Sequence, residues 1–134
     1  MTQHAEPTRF LNVDLELIDS SDVDLDPLLE HLANATFTLR DSVEEGKRTV
    51  WLELNHGPED VDDAITRFAD LVESLPSDIR MRWNQCHDRC LNIGIQGGSA
   101  PHASAFRIAT KSLAKAAAIS TRMEITVYAP PTPM

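Results

Sequence analysis

Apolar and polar positions alternate with two different periods along this chain. In "FLNVDLELI", residues 10 to 18, Leu11, Val13, Leu15 and Leu17 fall on one side and Asn12, Asp14 and Glu16 on the other. That period of two predicts a strand with one buried face. In "DVDLDPLLEHLA", Leu25, Leu28, Leu29 and Leu32 recur at helical spacing, with aspartates ahead of the stripe and Pro27 where a first turn tolerates it. Residues 35 to 43 and 48 to 55 alternate again around "EEGK", whose Gly46 supplies the freedom of a hairpin turn. The two runs are therefore expected to pair antiparallel. "EDVDDAITRFADLVESL" sets Val61, Ile65, Phe68, Val72 and Leu75 on one helical stripe, with its acids at the positive end of the helix dipole.

Beyond Pro76 the pattern is mixed. Ile79, Met81 and Trp83 alternate, but Ile79 and Trp83 also sit one helical turn apart, and a short helix to Gln85 is preferred. "CLNIGIQ" predicts a strand with Leu91, Ile93 and Ile95 inward, "TKSLAKAAAIS" a short helix with Thr110 as N-cap, and "RMEITVYA" a last strand. The main order, β-α-β-β-α-β-α-β, is an α+β fold: a ferredoxin-like β-α-β-β-α-β unit with an added α-β and a mainly antiparallel sheet. Right-handed crossovers place the helices on one face and leave the other open. Alternation assigns Asn12, Asp14, Glu16, Thr38, Arg40, Trp51, Glu53, Asn55, Asn92, Gln96, Glu124, Thr126 and Tyr128 to the open face.

The stretches "RFLNVDLEL", "W-N-x-C-x-x-R" at 83 to 89, "LNIGIQGG" and "EITVYAP", with an acidic linker into a leucine helix, resemble a group of small uncharacterised bacterial proteins classed as a domain of unknown function. The resemblance runs over residues 9 to 130 in element order. It implies an α+β sheet-and-helix fold and no activity, cofactor or catalytic residue.

Composition narrows the function classes. At 134 residues the chain has room for one domain, placed at 9–130, with flexible termini expected at 1–8 and 131–134. An aromatic content of 5% implies an aliphatic core. No secretory signal or membrane span is read from the sequence, so the expected compartment is the cytoplasm. The two cysteines are read as reduced thiols. A net charge of -9 repels phosphate backbones, and the only basic cluster, Arg80, Arg82 and Arg89, is too small to suggest nucleic-acid binding.

Candidate chemistry is sparse. Cys86, His87, Asp88 and Cys90 are metal-ligating types, but a second ligand pair is missing, so no metal and no cofactor is expected. A nucleophilic cysteine lacks an acid to orient His87. "GIQGGS" has neither the Walker spacing nor its lysine, and is read as a turn in which Gly97 and Gly98 adopt positive φ. Ser99, His102 and Ser104 lack a nucleophile elbow. Trp83 is expected to cover the end of the core. Asp14, Glu16, Glu53 and Glu124 could form paired carboxylates for acid-base work or a hard-cation site, but exposed strand carboxylates are read as solubilising, offset by neighbours such as Arg40. What remains is a non-enzymatic protein-interaction module, immunity-like or homodimeric, that uses Trp51, Tyr128, Asp14, Glu16, Glu53 and Glu124. The alternative is a small-molecule-binding regulatory domain with "IQGGSAPHASAF" as its ligand loop.

Overall fold

In a computed structural model that describes residues 6–130, nine elements follow one another. They are β1 (Arg9–Ser20), α1 (Asp26–Leu32), β2 (Thr36–Glu44), β3 (Lys47–Leu54), α2 (Val61–Glu73), α3 (Ser77–Gln85), β4 (Asp88–Gln96), α4 (Thr110–Ala118) and β5 (Arg122–Tyr128). The fold class is α+β. One five-stranded sheet has the order β2-β3-β1-β4-β5, antiparallel throughout except for the parallel pair β4–β5. Ile79 and Trp83 are both buried in α3, so the helical spacing of that stretch prevails over its alternation.

Central strand β1 carries the core. Val13, Leu15 and Leu17 are fully buried, flanked by Val50, Leu52 and Leu54 on β3 and by Leu91, Ile93 and Ile95 on β4. The helices cover this face with Leu28, Leu32, Ile65, Phe68, Val72, Trp83, Ala116 and Ile119, and all of these side chains belong to one cluster. Trp83 lies inside that cluster and does not cap its end; it is fully buried, and its indole N–H donates to the Ile119 carbonyl at 2.8 Å. Burial of a ring this large requires such a partner for its one polar atom.

Several local expectations are corrected. A register shift in β1 between Phe10 and Asn12 inserts Leu11 as an extra residue. Phe10 then packs against the core, while Leu11 is 42% exposed. A second shift, between Thr38 and Arg40, has the same effect in β2: Thr38 pairs with inward Leu52, Phe37 pairs with outward Glu53, and Arg40 still reaches the open face opposite Trp51. One extra residue exchanges the faces of everything beyond it.

Thr110 is the first residue of α4 and not its cap. The cap comes from another helix, where Asp62 Oδ1 accepts the Ala109 N–H at 2.9 Å and the Ser112 hydroxyl at 2.6 Å. Gly97 and Gly98 are not at positive φ. They are small because added Cβ atoms would meet the Tyr128 carbonyl at 2.8 Å and the backbone of Glu6 and Pro7, respectively. Positive φ occurs in the β2–β3 hairpin, at Gly46 (76°) and also at Glu45 (51°), which gives the turn the twist that paired strands need.

Of the expected flexible ends, 1–5 and 131–134 lie outside the described residues, whereas Glu6 and Thr8 bond to the 98–100 loop. No helix among the described residues is long and apolar enough to cross a membrane.

The two faces of β1 should respond differently to truncation. Leu15→Ala should lower unfolding free energy by about 2–5 kcal/mol, whereas Leu11→Ala should change it by less than about 0.5 kcal/mol. Urea denaturation of both variants checks the assignment. Equal losses would mean that Leu11 is buried after all.

Candidate site on the open sheet face

Cross-strand register arranges the open face in rows. One row runs Arg40, Trp51, Glu16, Cys90, Arg122 from β2 to β5; the next runs Phe37, Glu53, Asp14, Asn92, Glu124. Further along lie Asn12, Gly94 and Thr126, then Arg9, Gln96 and Tyr128. The sheet thus brings Asp14, Glu16 and Glu53 together on its inner strands β1 and β3, with Glu124 on edge strand β5. It separates the two aromatics, because Tyr128 is three strands and six residues from the Trp51 row, roughly 25 Å at ordinary strand spacings.

Amides organise the carboxylates. Asn92 Nδ2 donates to Glu16 at 2.8 Å and to Glu124 at 3.2 Å, while its Oδ1 accepts the Thr126 hydroxyl at 2.8 Å. On the other side of β1, Asn12 donates to Glu53. Asp14 stands directly opposite Glu53 across the β1–β3 pair. Burial first, then the charges of Glu53 and Glu16, raise its pKa from 3.8 to about 6.

Arg40 does not offset these acids. Its guanidinium lies over the Trp51 ring at 5.1 Å and pairs with Glu44 at 3.9 Å. Among the described residues no cation forms an ion pair with Asp14, Glu16 or Glu53. The cation that does approach is Arg122, which the sequence reading passed over. It forms a fork with Asp88 at 2.8 and 3.0 Å and reaches Glu124 at 3.5 Å. Its position two residues before Glu124 in an alternating strand was the available signal.

The two cysteines part company. Cys86 joins the core cluster, and its thiol donates to the Ile18 and Asp88 carbonyls at 3.6 and 3.5 Å. Cys90 is on the open face, yet only 1% exposed, between Glu16 and Arg122. Burial raises both thiol pKa values, that of Cys90 to about 11. His87 is exposed.

The arginine cluster is already engaged. Arg89 donates to the carbonyls of Trp83, Asn84 and Cys86 at the end of α3 and of Ser120 just beyond α4, Arg80 to those of Val72 in the last turn of α2 and Ala118 at the end of α4, and Arg82 to that of Asp24 in the loop before α1. Guanidinium groups placed against helix ends satisfy orphan carbonyls. Ser99, His102 and Ser104 are exposed loop residues, but Phe106 packs on the core and, with Phe10, Asp60 and Arg107, lines a cavity of about 410 Å³.

The chain matches no family model, no curated protein and no solved structure.

Two measurements test the electrostatics. The folded Asp14 carboxyl keeps its proton to about pH 6, whereas the unfolded one releases it near 3.8. Its contribution to stability therefore falls as pH rises through this window. In chelator-containing buffer, Asp14→Asn should raise unfolding free energy at pH 7.5 by about 1–2 kcal/mol, allowing for solvent screening, and give no gain at pH 4. A gain independent of pH would refute the assignment. In the second measurement, native protein at pH 8 should resist iodoacetamide at both cysteines, while the urea-unfolded chain reacts readily. Rapid native labelling of Cys90 would show it open to solvent.

Proposed function

We propose that the protein is a non-catalytic interaction module whose open sheet face docks a basic segment of a protein partner, as an immunity-like protein docks a basic toxin. The observation that carries this reading is the cross-strand pair of Asp14 and Glu53, set beside Trp51 and Glu16 without a neutralising cation among the described residues. Like charges directly opposite destabilise a sheet. A sheet that keeps them together on a face presenting an aromatic ring suits a cation supplied from outside, with Trp51 as the anchor.

The net charge of -9 adds long-range attraction for such a partner. It also argues against a homodimer built by stacking two open faces, which would set these acids against one another. Tyr128, expected in the same patch, is too distant to share a small epitope and is left out of the docking set. Glu16 and Glu124, whose carboxylates share the Asn92 amide, form the patch's border.

The strand order β4-β1-β3-β2 and its alternating directions fit a ferredoxin-like unit extended by α4 and β5. In that arrangement the helices leave one sheet face uncovered for contact. The runner-up, a small-molecule regulatory domain, draws support from the cavity beside Phe106, at the end of the loop first considered for a ligand.

A lysine-rich peptide serves as probe. Wild-type protein should bind it with an affinity that falls steeply with salt, and Asp14→Asn combined with Glu53→Gln should weaken binding at least tenfold, as should Trp51→Ala, while Tyr128→Ala should not. Circular dichroism verifies that each variant is folded. Equal binding by wild type and the Asp14/Glu53 variant would remove the open face from the proposal.

A further inference from the structure

We propose that Glu16, Cys90 and Glu124 form a binding site for one divalent metal ion of the zinc class. One carboxylate oxygen from each glutamate and the Cys90 sulfur lie within 4.8 Å of one another. Around a tetrahedral zinc ion such donors stand roughly 3.3–3.5 Å apart. The three groups therefore need to close by at most about 1.5 Å, which side-chain rotation on a fixed sheet supplies. They come from three adjacent strands, β1, β4 and β5, so the backbone spacing that sets them is fixed by hydrogen-bonded ladders and not by a loop.

The thiol is the observation that makes this more than a group of acids. Cys90 is only 1% exposed, it lies outside the core cluster on the polar face, and among the described residues its sulfur makes no hydrogen bond. Cys86, four residues earlier, uses its thiol as a donor to two carbonyls. A buried thiol without such a partner, lying among carboxylates, is placed where a metal would use its lone pairs. When the ion binds, a metal–sulfur bond forms as the S–H proton leaves to solvent, with no change of oxidation state.

The mixed donor set selects the ion. Calcium and magnesium favour oxygen-only shells, whereas zinc accepts sulfur and carboxylate together. Asn92 holds Glu16 and Glu124 through one amide nitrogen, the outer support that ligating carboxylates commonly have. Arg122, the nearest cation, is held mainly by both oxygens of Asp88 and reaches one oxygen of Glu124 at the longer distance of 3.5 Å, a contact that an ion bound there would displace. Three protein donors leave a fourth position, and Glu124 is solvent-exposed, so that position can be taken by water or by an incoming ligand. The donor set also differs from the "CHDRC" grouping weighed in the sequence. Register separates Cys90 from Cys86 and joins it to Glu16 and Glu124.

Chelator-treated full-length protein is titrated with zinc alone, and in parallel with cobalt(II), by calorimetry and absorption spectroscopy. One equivalent should bind, and the cobalt form should show a thiolate charge-transfer band in the near ultraviolet. Cys90→Ser should abolish that band. Glu124→Gln, at an exposed position that leaves folding unaffected, should weaken zinc binding at least tenfold. Cys86→Ser and the Asp14→Asn/Glu53→Gln double variant should keep the band, which separates this site from the Asp14–Glu53 pair that carries the docking proposal. Absence of stoichiometric binding by wild type, or binding unchanged in Glu124→Gln and Cys90→Ser, would overturn the inference. Should Cys90→Ser fail to fold, Glu124→Gln still decides.

Discussion

Strand β1 is bonded on both edges, to β3 and to β4, and the rest of the molecule is arranged around that double pairing. Its alternation obliges one side chain in two to face the helices and the next to face the other way. Val13, Leu15 and Leu17 answer the first demand, and the helices gather over them. Asn12, Asp14 and Glu16 answer the second. Because β1 is central, its acids stand in the middle of the sheet, where neighbouring strands restrict the water around them. Glu16 is as a result only 9% exposed although no helix covers it.

The distribution of arginines follows from how few there are to serve two needs. Arg80 and Arg89 donate to carbonyls at the C-terminal ends of α2, α3 and α4, where the helices run out of internal partners, and Arg82 holds the Asp24 carbonyl in the loop before α1. Arg48 ties the hairpin to α1 through Asp41 and Asp26. Arg40 rests on Trp51 and Arg122 is held by Asp88, so the centre of the open face keeps its negative charge. The docking reading and the metal inference are two consequences of that surplus. The first uses the Asp14–Glu53 side of β1, the second the side toward β5, where a thiol is within reach.

Pieces distant in sequence are joined by single polar contacts that stabilise several elements at once. Asp62, in the first turn of α2, supplies the start of α4 with the acceptor that the "TKSLAKAAAIS" segment lacks. The Trp83 indole joins α3 to the end of α4 through Ile119. Glu6 bonds to Ser99 and Ala100, so the chain entering β1 is attached to the loop leaving β4.

Sequence by itself determined the kind of each element and the burial of most aliphatic side chains, because periods of two and of three to four residues are imposed by local backbone geometry. It also determined the α+β class and placed most of the carboxylates on the polar side of their strands. Tertiary structure decided what alternation cannot express. Inserted residues at Leu11 and near Leu39 exchange faces only because the partner strand keeps its own register. The glycines at 97 and 98 are small because the strand and the chain start pass against them, which no local rule reveals. The same holds for the site: Glu16, Cys90 and Glu124 meet only because strands far apart in the chain lie adjacent in the sheet, and strand adjacency is a property of global packing and not of any local segment.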